Sequence, residues 1–309
     1  MTTMHPLPPL PYHDWRATKD TLHMYLQIVG KVRLALAPPR NHWWHVPFHL
    51  TARGLTTRPM ILDGAPAEVR VDMVDHEVQV VSSTGRQDVI DLVDGLSVAE
   101  FHRRFMALIA DFGSDVSIDA RPFGMPMTTP FAEDTEHASY DRDAVRRFHT
   151  ALLWIADAFE EFTGWFSGKT SPVHVFWHSF DLAVTRFSGR RAPEIAGADT
   201  VTREAYSHEV VSFGFWAGDQ NVPTPTFYAY AAPEPKGLTE RLLDPKGATW
   251  VPQGQGHLAV LPYETVREAD DWRGTLLEFL ESAYRAGATT AGWDVAELTS
   301  SFCPPRIAS

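Results

Sequence analysis

Between Asn41 and Gly54, apolar and polar residues alternate with a period of two. Trp44, Val46, Phe48, Leu50 and Ala52 fall on one side; Trp43, His45, His49, Thr51 and Arg53 fall on the other. The alternation predicts one long strand with a core face and a face carrying hydrogen-bonding and titratable groups. Ahead of it, Leu22, Leu26, Val29 and Leu36 predict a helix over residues 18–36, stopped by Pro38 and Pro39. Behind it, Val69, Val71 and Met73 alternate, as do Val78 and Val80, and they close a hairpin around Asp75-His76. Ser97-Val98-Ala99-Glu100 is a capping box opening a helix to about Phe112, with Phe101, Phe105, Leu108 and Phe112 inward and Gly113 as the stop. Val116 and Ile118 suggest one more short strand.

Pro122, Pro126 and Pro130 punctuate a loop-like stretch, and the pattern then begins again. Val145, Phe148, Leu152, Ile155, Phe159, Phe162 and Phe166 recur at spacings of three and four, a strong amphipathic helix ended by Gly168. Residues 172–186 read as a second long aromatic strand, followed by strands over 209–216, 226–231 and 257–263. A last helix covers 271–286, with Gly287 as its stop. Each half therefore runs helix, long strand, hairpin, helix. Phe48 falls opposite Phe180 at a constant offset, and Trp44, Phe48, Leu50, Phe176, Phe180 and Leu182 are the expected core positions. The expected fold is α+β, with two similar helix–strand–hairpin–helix halves around mainly antiparallel sheet, related by a pseudo-twofold axis. Its divisions are an N-terminal arm (1–14), a first half (15–121), a Pro-rich linker (122–140), a second half (141–293) and a C-terminal tail (294–309).

Composition narrows the classes. With 309 residues, 44% of them hydrophobic, the chain buries a sizeable core. A net charge of −12 without a basic stripe argues against nucleic acid and against anionic membranes. No segment approaches the roughly 20 apolar residues that span a bilayer, and Met1–Leu10 has no apolar signal core. The single cysteine, Cys303, excludes an internal disulfide. The expected location is the cytoplasm and the expected partner a small molecule; nothing indicates an oligomeric state.

Several runs carry a family resemblance. They are His42-Trp43-Trp44-His45-Val46, Thr51-Ala52-Arg53-Gly54-Leu55-Thr56-Thr57, Ser171-Pro172-Val173-His174, the stretch from Ser179-Phe180-Asp181-Leu182 to Arg190, and Glu204-Ala205-Tyr206-Ser207-His208-Glu209. In these the chain resembles a bacterial family known only as a domain of unknown function. The resemblance covers nearly the whole chain after the arm and brings no activity with it.

Candidate chemistry centres on the 14 histidines. His45 and His49 are four apart on the expected strand, about 13 Å, too far for one metal ion. A divalent metal held across strands by His45, His174, His208 and Glu209 stays open, without positive support from spacing. Acid/base work needs less: a histidine near neutrality and a carboxylate to orient it. His45, His174 and His208 are the candidate histidines, with Asp181 or Glu209 as orienting acid. Arg53 and Arg186, each closing a long strand, are candidate anion holders, and Trp177 a candidate pocket wall. No glycine-rich phosphate loop occurs, so no nucleotide cofactor is expected. The expected function is an enzyme acting on a small anionic metabolite by histidine acid/base or metal-assisted chemistry. Its rivals are a non-catalytic small-molecule-binding module and a structural or partner-binding protein whose His/Arg face is an internally satisfied network.

Overall fold

A computed structural model gives the structure over residues 6–195 and 197–305; the first five residues of the expected arm and the last four of the expected tail lie outside the described residues. Helix α1 (Tyr12–Leu36) starts earlier than its apolar stripe suggests, because Tyr12 and Trp15 are already buried. Its buried positions run almost all round it, including Leu22, Met24, Tyr25, Leu26, Ile28 and Val29. A helix wetted on so little of its surface runs through a core rather than over one. The arm ahead of it is held by Leu7 and Leu10, both in the core, and by the Tyr263 hydroxyl, which donates to the Pro8 carbonyl at 2.7 Å.

The first sheet contains β1 (His49–Thr51), β2 (Gly54–Thr56), β3 (Met60–Leu62), β4 (Ala65–Asp72), β5 (Glu77–Ser82) and β6 (Gln87–Asp91). Its order is β1-β2-β4-β5-β6, antiparallel throughout, with β3 on β4. The hairpin around Asp75-His76 is β4–β5, as the alternation indicated. Helix α2 (Val98–Asp111) is capped by the Ser97 hydroxyl, which accepts from the Glu100 N–H at 3.2 Å. The Glu100 carboxylate does not reach back to complete the box; it binds Arg103 and Arg104 one turn on. Val116 and Ile118 rest on the core as loop, with no strand there.

Helix α3 (Arg142–Gly164) is capped by Asp141, whose side chain accepts from the N–H groups of Asp143 and Ala144. The second sheet follows: β7 (His174–Phe176), β8 (Asp181–Arg191), β9 (His208–Trp216), β10 (Thr226–Ala232), β11 (Thr249–Gln253) and β12 (Gly256–Pro262). Its order is β7-β8-β9-β10-β12-β11. Short helices α4 (Thr200–Ala205) and α5 (Tyr263–Arg267) interrupt it, and α6 (Trp272–Thr290) ends the half. Helix α6 runs through Gly287, the residue expected to stop it. A Cβ there meets Val211 of β9 at 3.0 Å, so this glycine sets a close approach of helix to sheet. The molecule is thus α+β, two six-stranded antiparallel sheets with helices before and after each. Among the described residues no helix is long and apolar enough to cross a membrane.

Both expected long strands are broken, and for stated reasons. His42 and Trp43 have φ of 56° and 60°, in the left-handed region that an extended strand excludes, and they belong to a 3-10 turn at Asn41–Trp43. The Thr51 hydroxyl accepts from the N–H groups of Arg53 and Gly54 and turns β1 into β2. Residues 174–191 form the hairpin β7–β8, its turn carried by Phe180 at φ 56°. Period-two alternation survives a tight turn, which is why two hairpins read as two strands. Phe48, Phe180 and Leu182 are buried as expected; Trp44, Leu50 and Phe176 keep part of their surface in solvent.

Among the described residues one backbone bridge joins the two sheets. Phe48 and Val175 exchange both backbone hydrogen bonds, each 2.9 Å, in an antiparallel bridge. The residues after a hydrogen-bonded pair form the closer, non-bonded pair, so His49 stands opposite His174. A local half-turn relates any two antiparallel strands, and here it carries His49 onto His174.

Candidate functional site

His49 and His174 face each other at the joint, with ring centroids 6.3 Å apart. The chain supplies further basic groups around them. Arg33, from the last turn of α1, donates its Nε to the His45 carbonyl at 2.8 Å and Nη1 to the Pro59 carbonyl at 3.1 Å. The Arg40 N–H donates to His45 Nδ1 at 3.1 Å. Arg58 lies in the turn after β2, its N–H donating to the Thr56 hydroxyl, and Thr56 is the partner of His49 in the ladder. Four basic side chains, Arg33, His45, His49 and His174, are therefore buried or half-buried at one joint, and Arg40 and Arg58, both exposed, border it.

Their electrostatics have one sign. Burial, then Arg58, Arg33 and Arg40, hold the His49 imidazole down at about 4. Burial, then His49 and Arg58, hold His174 at about 3. His45 is lowered by burial, then by Arg33 and Arg40, and the Arg33 guanidinium by burial, Arg58 and Arg40. Arg33 is only 9% exposed, yet among the described residues neither it nor Arg40 nor Arg58 has a carboxylate within ion-pair reach. His174 Nδ1 is buried and also lacks a partner. Uncompensated positive charge costs stability, more so when partly buried, and it stands out in an acidic chain.

The face of the second sheet that carries His174 continues from the joint. Ladder partners share a face, so His174, Ala183, Gly214 and Tyr228 form one row across four strands. Phe176, Asp181 and Trp216 form the next, and Thr185, Ser212 and Tyr230 a third. The Tyr228 hydroxyl donates to Asp181, and so does the Ser179 hydroxyl. Thr185 and Ser212 share a hydrogen bond of 2.8 Å, Tyr230 and Tyr206 one of 3.1 Å. Burial holds the Tyr228 and Tyr230 phenols well above their ordinary value, yet solvent still reaches part of both side chains.

The other expected site residues fall elsewhere. Arg186 points to the opposite, helix-covered face, 1% exposed, beside Glu281 of α6 at 3.5 Å and over the Phe162 ring of α3. Arg53, in the β1–β2 turn, is exposed and pairs with Asp72 at the end of β4 and Asp75 of the β4–β5 turn. Trp177 is buried in the β7–β8 turn against Gly30 of α1. His208 bonds the Ser207 hydroxyl at 3.1 Å and lies beside His42, which accepts from the Lys169 ammonium at 2.8 Å. Glu209 pairs with Arg190 and lines a separate cavity of about 200 Å³ with Glu234 and Trp293. His45 and His174 are brought to one region; Arg53, Arg186, His208 and Glu209 are not part of it. Among the described residues no group of three or more His, Cys, Asp or Glu is placed to hold a metal ion. The alternation did mark His49; Arg33, Arg40 and Arg58 carried no signal of their own, because a sequence does not say which arginines lack an acid.

The chain belongs to the family described as "Family of unknown function (DUF5996)", whose model matches residues 7–300. No curated protein and no solved structure matches it.

Proposed function

We propose that the joint between the two sheets binds a small anionic metabolite, and that its neutral histidines serve as proton acceptors toward it. The observation that carries the reading is the convergence of Arg33, Arg40, Arg58, His45, His49 and His174 with no ion pair to the three arginines among the described residues; Glu68, which accepts from the Thr56 hydroxyl at 2.8 Å, is paired with Arg70. An anion offsets their mutual repulsion, and arginines supply the directed hydrogen bonds that carboxylates and phosphates take. A neutral imidazole with a free nitrogen, as at His174 Nδ1, is the form a general base requires. Asp181, two residues along the neighbouring strand from the partner of His174, stands diagonal to it on the same face. A single cysteine and a net charge of −12 fit a cytoplasmic protein that does not bind nucleic acid.

The sign of the proton linkage tests the reading. His49 is held at about 4 and His174 at about 3 without a ligand, and a bound anion raises both. Binding therefore takes up protons and is tightest at low pH, weakening as pH rises through the raised values. Titration calorimetry with sulfate, which does not itself titrate between about pH 5 and 8, measures this in two buffers of different ionisation heat. Proton uptake with affinity falling toward pH 8 is the expected result. Proton release, or no response to sulfate or short carboxylates at any pH, sinks the reading.

A further inference from the structure

The same face of the second sheet also carries a buried acid, Asp181. Asp181 is 6% exposed and opens β8 directly after the left-handed Phe180. Both its oxygens accept from hydroxyls, Ser179 on one and Tyr228 on the other. Tyr228 reaches it by lying across Gly214, where a Cβ would fall 2.3 Å from the ring, so a side chain at position 214 closes that route. Among the described residues no lysine, arginine or histidine forms an ion pair with Asp181; burial lowers the pKa of His178, close by, against the pull of Asp181. The ladder sets Phe176 on one side of Asp181 and Trp216 on the other, and both rings, like Tyr228, keep part of their surface in solvent. A buried carboxylate lacking a counter-charge and walled by aromatic faces suits an ammonium group, which the acid pairs and the rings attract.

We propose that the ligand is an amino carboxylate, or another amphoteric molecule of that kind, with its anion at the Arg/His joint and its amine at Asp181 between Phe176 and Trp216. The inference rests on the anion reading above and adds the second charge. Diagonal positions on neighbouring antiparallel strands lie about 7–8 Å apart, which sets the span between the two groups. That span fits an amine several bonds removed from the acid better than one on the adjacent carbon.

The test is calorimetric titration of hexanoate against 6-aminohexanoate, and of butyrate against 4-aminobutyrate. In the wild type the terminal amine is expected to tighten 6-aminohexanoate over hexanoate about tenfold, the scale of a charge-assisted hydrogen bond. Asp181→Asn should bring the ratio to about one while hexanoate binds as before; Trp216→Leu, which leaves the acid in place, should lower the ratio part of the way. An amine that adds nothing in the wild type, or a gain that survives both substitutions, overturns the amino-carboxylate inference and leaves the anion site standing. Failure of hexanoate and 6-aminohexanoate alike removes both.

Discussion

Phe48→Ala is expected to destabilise the protein by about 3–5 kcal/mol, the range for truncating a fully enclosed phenylalanine. Phe48 is 0% exposed and stands where the two sheets exchange their only bridge, with Val175, in the described residues. Its backbone bonds survive the substitution, so the loss comes from the side chain: apolar area returned to water and a cavity that rigid strands and helices on both sides fill poorly. Because the side chains of Phe48 and His49 leave opposite faces of the same strand, that cavity also loosens the His49–His174 pair from beneath. Chemical denaturation measures the cost. A loss below about 1 kcal/mol means the joint is not part of the core.

Acidification is expected to remove comparable stability through His23 and His174. His23 lies in α1, 5% exposed, donating Nε2–H to the Trp177 carbonyl at 2.9 Å; the carbonyl only accepts, so that nitrogen carries the hydrogen. Burial, with Lys19 nearby, holds it at about 3, and burial, His49 and Arg58 hold His174 at about 3. In the unfolded chain both return to about 6.5. The folded values are depressed, so the unfolded state binds the proton first. Stability is full above about pH 6.5 and falls toward pH 3 by about 1.4 kcal/mol per unit for each histidine, roughly 2 kcal/mol each by pH 5. Denaturation at pH 7 and pH 5 should show a smaller difference in His23→Gln and in His174→Phe than in the wild type. Equal differences in all three proteins show that neither histidine is kept neutral by the fold.

Element type and order were legible in the chain because they depend on spacing. The amphipathic run from Val145 to Phe162 and the β4–β5 hairpin needed no tertiary information. The breaks at His42–Trp43 and at Trp177–Phe180 were hidden because the residues at positive φ, His42, Trp43 and Phe180, are neither glycine nor asparagine; tertiary contacts hold them there. Arg53 and Arg186 looked like anion holders from their place at strand ends, and both prove to have acids beside them. The arginines at the joint reach it through α1 and through loops, and only the fold reveals which charges remain without a partner. His45 and His174 were readable as polar positions on alternating segments; the pairing of His174 with His49 follows from the register at Phe48–Val175, which one strand's sequence does not contain.

The anion site has a consequence that no internally satisfied network shares. Arg58 sits among like charges without an acid, so its removal relieves repulsion in the free protein and weakens ligand binding at the same time. Thermal unfolding of Arg58→Ala with and without sulfate tests the two together. The account predicts a ligand-free melting temperature equal to or above that of the wild type, and a stabilisation by sulfate that is reduced or lost, since only native-state binding raises the transition. A variant that melts lower than the wild type without ligand, or keeps the full sulfate response, contradicts it.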